Sequence, residues 1–153
     1  MKKILLINGH PNKDSFSFAI AEAYKKGVEK KGADIKEVKE LVIRELDFNP
    51  NLQYGFQNRT ELEPDLLVAV DKIKWADHLV FIHPVWWGGL PAIMKGFIDR
   101  TFLPGIVFQY KENSVWWEKL LNGKAAHIIC TLDQPYWYYK LINGRPAINQ
   151  LKK

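Results

Sequence analysis

The sequence predicts a three-layer α/β/α domain built on a doubly wound parallel sheet. Three observations carry this reading. Short runs at residues 3–8, 78–83 and 125–131 are apolar on both faces, as strands covered on two sides must be. Stretches with apolar residues at helical spacing separate them. The loops that follow these strands, residues 10–15, 84–89 and 131–139, hold the most unusual residues of the chain, and open α/β sheets bind ligands at such strand ends.

Each element follows from local chemistry. Residues 3–8 carry the aliphatics Ile4, Leu5, Leu6 and Ile7, bounded by Gly9 and Pro11. Asp14 or Ser15 can cap the next helix, with Ile20, Tyr24, Gly27 and Val28 as its apolar stripe. Lys30, Lys31 and Gly32 suit its C-terminus. Residues 33–38 form a weaker strand, too polar for a central place. Residues 44–63, with Pro50 and Gly55, read as a long irregular crossing. Pro64 opens a helix whose inward face is Leu66, Leu67, Val70, Ile73 and Lys74. Residues 78–83 are the second core strand, stopped by Pro84, and Pro91 opens a helix that runs to about Phe102. Residues 125–131 form a third buried strand, and residues 143–146 break the turn or short helix after it. There is no internal repeat, linker or low-complexity segment, so residues 1–153 are expected to form one domain.

Composition narrows the function classes. Hydrophobic residues at 47% and charged residues at 25% describe a soluble globular chain rather than a disordered one. Six Trp, six Tyr and eight Phe are unusual, and several gather at residues 85–87 and 136–139. Flat side chains concentrated in loops suit a flat ligand or an interface. The single cysteine, Cys130, sits in an apolar run and reads as a buried, inert thiol in a reducing compartment. Net charge is +5, but Lys and Glu alternate through residues 25–45, so no nucleic-acid partner is expected. The opening residues are too short for a signal peptide, and no apolar run approaches the ~20 residues of a membrane span. A cytoplasmic location without stable membrane insertion is the expectation.

The three loops carry the candidate chemistry. In Gly9-His10-Pro11-Asn12-Lys13-Asp14-Ser15 a strand leads into a helix N-terminus, a natural anion site, where His10, Ser15 and Ser17 can donate to a phosphate. An ordinary helix cap is the alternative. Neither GxxxxGK[ST] nor GxGxxG is present, which disfavours an ATPase and a simple NAD dehydrogenase. In Pro84-Val85-Trp86-Trp87-Gly88-Gly89-Leu90-Pro91 the glycines permit close backbone approach and a Trp can stack on a planar heterocycle. A dimer contact would account for one Trp but less easily for the whole segment. Thr131 to Tyr139 mixes hydroxyls, an amide and a carboxylate with aromatics and can form another side of the pocket, although a structural role is also open. His78 and His83 point to opposite faces of one strand, and no CxxC or HExxH accompanies them, so no metal site is expected. GxSxG is also missing.

The segment from His83 to Phe102 resembles the flavin-binding segment of the NAD(P)H:quinone oxidoreductase family, in its bacterial flavodoxin-like branch. The opening Ile7-Asn8-Gly9-His10-Pro11-Asn12-Lys13-Asp14-Ser15-Phe16-Ser17 looks like that family's first phosphate loop, and residues 131–139 are similar to its third flavin loop. The resemblance runs over essentially the whole chain. It implies a flavodoxin-like fold with a five-stranded parallel sheet, a flavin at the strand ends, and a homodimer. Carried over, His10, Asp14, Ser15, Phe16 and Ser17 line the phosphate and ribityl portion. Pro84, Val85, Trp86, Trp87 and Gly88 hold the isoalloxazine, with Thr131, Asp133 and Tyr138 on its other side. Phe108 and Tyr110 match aromatics that reach into the partner subunit's site and wall the quinone pocket. The implied chemistry is ping-pong, with hydride passing from NAD(P)H through flavin N5 to a quinone. FAD is favoured by the resemblance and FMN is the alternative.

Two departures stand out. Some members place a Tyr and a His after the third loop to relay a proton. No His stands there in this chain, which leaves Tyr138, Tyr139 or water. Members also continue with a further helix, a last strand and a terminal helix, so the sheet is expected to lack the family's last strand and helix. Other functions that fit the resemblance are a flavin-binding ancillary subunit of a potassium-efflux system and a flavodoxin-like electron carrier. Such carriers are usually acidic, unlike this chain.

Overall fold

In a computed structural model that describes residues 2–31, 35–55, 57–58, 60–112 and 115–152, the aliphatic run of the N-terminus is the middle of a sheet. In chain order the elements are β1 (Lys2–Asn8), α1 (Phe16–Lys31), β2 (Ile35–Val42), a 3-10 turn (Ile43–Glu45), α2 (Pro64–Trp75), β3 (His78–Pro84), α3 (Ala92–Thr101), β4 (Phe108–Tyr110), β5 (Trp117–Lys119), β6 (Ala125–Thr131), α4 (Tyr136–Leu141) and α5 (Pro146–Leu151). Four strands pair in parallel in the order β2-β1-β3-β6. The excursion through β1 to both neighbours is the double winding that the strand pattern predicts. β4 and β5 form a separate antiparallel hairpin that the sequence reading does not contain.

Alternation along the strands builds the three layers. Ile4, Leu6, Val80 and Ile82 face α1 and pack with Ile20, Ala21, Tyr24 and Val28. Leu5, Ile7, Leu79 and Phe81 face the other way, onto Leu66, Ala69, Ile73, Met94 and Phe97 of α2 and α3. Each large side chain so buried contributes about 1.5–3 kcal/mol. This is the three-layer α/β/α arrangement that the strand pattern predicts.

Several expectations are corrected in detail. α2 buries Leu66, Ala69, Val70 and Ile73, whereas Leu67 and Lys74 face outward. The first set follows the i, i+3, i+4, i+7 rule, and Leu67 lies one step, about 100°, off it. β6 is not buried along its length. Ala125, Ala126 and His127 are exposed and Ile128 to Thr131 half-buried, because only β3 pairs with it among the described residues. Cys130 is therefore half-buried, and burial pushes its thiol pKa up. β2 is an outer strand, in keeping with its polarity, and reaches Val42. Gly32, Ala33 and Asp34, expected at the end of α1 and the start of β2, lie outside the described residues.

The irregular crossing is held by one buried guanidinium. Arg100 of α3 is 1% exposed. Its Nη1 donates to the Asn49 carbonyl (2.5 Å) and to Glu63 Oε1 (3.1 Å). Its Nη2 donates to the Glu61 carbonyl (2.8 Å) and to Glu63 Oε2 (2.7 Å). Burial pushes the Glu63 carboxyl up, but the Arg100 guanidinium and the Asn49 N–H bond, acting together, hold the group below its ordinary range. Gly96 lets this segment lie flat on α3, since a Cβ there would meet the Pro50 Cβ at 2.4 Å and its carbonyl oxygen at 2.6 Å.

Candidate functional site

The C-terminal ends of β1, β3 and β6 lie side by side, so the three unusual loops meet at one edge of the sheet. Backbone bonds join them. Gly9 N–H donates to the Ile82 carbonyl (2.9 Å), and Val85 N–H donates to the Thr131 carbonyl (2.8 Å). The His10 ring stands edge-on to Trp86 with centroids 5.5 Å apart, which links the first loop to the second.

The first loop folds on its own side chains. Asn8 Oδ1 accepts from His10 N–H (3.1 Å), His10 Nδ1 from Asn12 N–H (3.0 Å), and Asn12 Oδ1 from Asp14 N–H (3.0 Å). Each is a side-chain bond to a backbone amide two residues on, which turns the chain tightly into α1. Partial burial pushes the His10 pKa down. With Nδ1 accepting, the ring is neutral and carries its proton on Nε2. Ser15 stands at the cap position of α1, but its hydroxyl caps nothing. Ser15 Oγ, Ser17 Oγ and Asn8 Nδ2 are buried and have no hydrogen-bond partner among the described residues. The first N–H groups of any helix also lack an intrahelical partner. Unused donors thus gather at the positive end of α1. Phe16 and Asp14 are exposed beside them.

The second loop is a tight reversal. Trp86 N–H donates to Gly89 O (3.1 Å) and Gly89 N–H to Trp86 O (2.9 Å), with Trp87 (φ 50°) and Gly88 (φ 77°) between them. Two successive residues at positive φ make this a I′-type turn, which favours Asn-Gly. A Trp in the first place costs on the order of 1–3 kcal/mol, and the fully exposed indole recovers none of it by packing. Trp87 thus combines an unfavourable backbone conformation with a fully exposed indole.

Val85, Trp86, Trp87 and Gly88 face Leu132, Asp133, Gln134, Tyr138 and Asn143 across a cavity of about 580 Å³. Pro84 and Thr131, the last residues of β3 and β6, pair beneath it. The two candidate tyrosines separate here. Tyr138 lines the cavity, while Tyr139 is wholly buried behind it, and its hydroxyl donates to the Gly88 carbonyl (3.2 Å). Phe108 and Tyr110 do not join the loops. They stack edge-to-face at 5.5 Å on β4 and line a second, largely apolar cavity of about 580 Å³ with Leu52, Leu62, Phe102 and Ile106. The described residues hold no group of three or more His, Cys, Asp or Glu that could bind a metal, and no helix among them is long and apolar enough to cross a membrane. Leu132 and Gln134 belong to the loop that the sequence places on one side of the pocket, whereas sequence reasoning missed Asn143 as a lining residue, and the hairpin, whose only signal is the alternation Phe108-Gln109-Tyr110.

The family model of the flavodoxin-like fold matches residues 2–152. NAD(P)H dehydrogenase [quinone] 1 of Rattus norvegicus is 28% identical over 130 residues, 72% of this chain and 46% of that protein. The FMN-dependent NADH:quinone oxidoreductase 1 of Lactococcus lactis is 30% identical over 141 residues, 82% of this chain and 65% of that protein. The chain belongs to the flavodoxin-like NAD(P)H:quinone oxidoreductase family. It spans about half the length of the mammalian members it matches. Among solved structures, the crystal structure of Smu.1420 from Streptococcus mutans is 36% identical, with a TM-score of 0.72 over 92% of this chain and 73% of that one.

Proposed function

We propose that this chain binds FMN where the three loops meet and acts as an NAD(P)H:quinone oxidoreductase. The observation that carries the reading is the pairing, at one sheet edge, of unpartnered polar groups with a cavity walled by aromatic side chains. Ser15 Oγ, Ser17 Oγ and Asn8 Nδ2 need acceptors, and the α1 N-terminus favours an anion. These donors suit a phosphate. About 580 Å³ between Trp86, Trp87 and Tyr138 suits a flat ring system. The donor set and the cavity therefore fit a flavin mononucleotide, and the flavin named for the Lactococcus lactis relative favours FMN over FAD.

A bound flavin supplies two-electron hydride transfer between NAD(P)H and a quinone. The chain supplies position and environment. Ser15 and Ser17 anchor the phosphate, and the neutral His10 donates from Nε2 without adding charge. Trp86 and Trp87 offer faces for stacking and exclude water from one side of the ring. Asp133 and Tyr138 line the opposite wall, with the Tyr138 hydroxyl as proton donor at the acceptor's oxygen. Tyr110 is exposed and Phe108 half-buried beside it, a pair placed to complete the site of a second copy, which makes a homodimer part of the proposal.

The test is turnover by FMN-loaded protein. NADH or NADPH should be consumed at a rate that depends on added benzoquinone, and Tyr138→Phe should lower kcat with little change in FMN affinity. Protein that holds FMN but consumes neither nicotinamide contradicts the enzymatic reading.

A further inference from the structure

We propose that Tyr139 is a positioning residue whose hydroxyl clamps the Trp86–Gly89 turn to α5 and so sets the gap between the two walls of the site cavity. The cavity lies between residues 85–88 and the residues that flank Tyr139 in the chain, Tyr138 and Asn143 among them. Tyr139 itself lies outside the cavity lining and joins its walls from behind.

The geometry is a three-way node. Tyr139 Oη donates to the Gly88 carbonyl (3.2 Å) and accepts from Ala147 N–H (3.2 Å). The same Ala147 N–H also reaches the Gly88 carbonyl (3.3 Å). One hydroxyl therefore serves the second loop and the start of α5 together. A Cβ on Gly88 would lie 3.5 Å from the Pro146 ring, so the turn already packs on the first residue of α5. The backbone of Tyr139 adds a further tie, because its carbonyl accepts from Arg145 N–H (3.1 Å).

Strain explains why a clamp is needed. Trp87 (φ 50°) and Arg145 (φ 53°) are the non-glycine residues at positive φ among those described; Arg145 is bonded to Tyr139 directly and Trp87 through its neighbour Gly88. The Trp87 indole is fully exposed and gives the turn no packing of its own. Such a turn persists only where its surroundings over-determine it. Tyr139 is buried and its hydroxyl is committed in both directions, so the proton-donor role fits Tyr138 and a holding role fits Tyr139. Burial pushes the Tyr139 pKa up, which keeps the hydroxyl a donor.

The consequence for ligand binding rests on the flavin-site reading, whereas the clamp does not. The test is Tyr139→Phe in the full chain, which keeps the ring and removes the hydroxyl. Tyr24→Phe, on the far side of the sheet, is the control for loss of a tyrosine hydroxyl. In the ligand-free protein the Trp86 and Gly89 amides should exchange with deuterium about tenfold faster in Tyr139→Phe, the factor expected for one hydrogen bond lost to the turn. Amides of β1 and β3 should exchange at the wild-type rate. The FMN dissociation constant should rise about tenfold, with no change in Tyr24→Phe. Unchanged turn exchange overturns the clamp. Acceleration spread evenly over β1 and β3 also overturns it, because the hydroxyl then serves only global stability. Released turn amides with unchanged FMN affinity overturn the control of the gap. A wild-type protein that binds no FMN contradicts the flavin site alone, and the exchange measurement still decides the clamp.

Discussion

The crossing at residues 46–63 and the three loops at the sheet edge are both irregular, but they treat their polar groups in opposite ways. In the crossing, backbone groups of Asp47, Asn49, Asn51, Gly55 and Glu61 all find partners. Arg100 meets four acceptors there, and Thr60 Oγ1 and Arg100 Nε are the buried polar atoms of the described crossing and its anchor left without a partner. At the sheet edge, Ser15, Ser17 and Asn8 keep unpartnered polar atoms while Trp86, Trp87, Phe16 and Tyr138 keep exposed rings. One irregular region has spent most of its bonding capacity on the fold, and the other retains three donors at one helix N-terminus. Loop length and composition do not distinguish the two. Satisfaction of the polar groups does.

The largest effect expected from this contrast is at Arg100. Arg100→Ala strips four hydrogen bonds from the crossing and leaves Glu63 without its cation, at a cost of about 3–5 kcal/mol in urea unfolding. FMN affinity at native conditions should change far less than stability. Trp87→Asn should show the reverse pattern. It creates the Asn-Gly pair that a I′ turn prefers, so unfolding should be unchanged or slightly harder. FMN titration should lose about 1–3 kcal/mol, the range found for flat bases stacked on aromatic side chains. If Trp87→Asn destabilises the fold and spares FMN, the contrast between the regions is broken.

The smallest effect comes from pH. His83 lies buried at the end of β3, and burial pushes its pKa below the ordinary 6.5. The unfolded chain therefore binds more protons once pH falls below that value, and stability falls on acidification. Burial acts in the same direction on His10 and His78. The free energy of unfolding should fall as pH drops from about 7 towards 5.5, and His83→Gln should flatten that slope.

Much of this was legible in the residues. The strand runs at residues 3–8, 78–83 and 125–131 and the loops after them are local patterns, and local patterns survive folding. The cavity between Trp86 and Tyr138 follows once those strands are placed in parallel. Other features were hidden for physical reasons. Arg100 reaches residues 37 to 51 positions away, a pairing no window of sequence displays. Leu67 looks as apolar as Leu66, and only the register of α2 turns it outward. Tyr138 and Tyr139 are chemically the same, yet one lines a cavity and the other is buried, because neighbours on a helix point about 100° apart. The left-handed Trp87 runs against backbone preference, and a departure of that kind cannot be read from local propensity.

The central claim is that the first loop reserves its donors for a phosphate. The most direct measurement is calorimetric titration of the flavin-free protein with FMN and with riboflavin, which differ only in that phosphate. The account predicts that FMN binds at least about tenfold more tightly, since hydrogen bonds to a charged group each contribute about 1.5–3 kcal/mol, and that Ser17→Ala removes most of the difference. Equal affinity for the two flavins, or no binding of either, would contradict it.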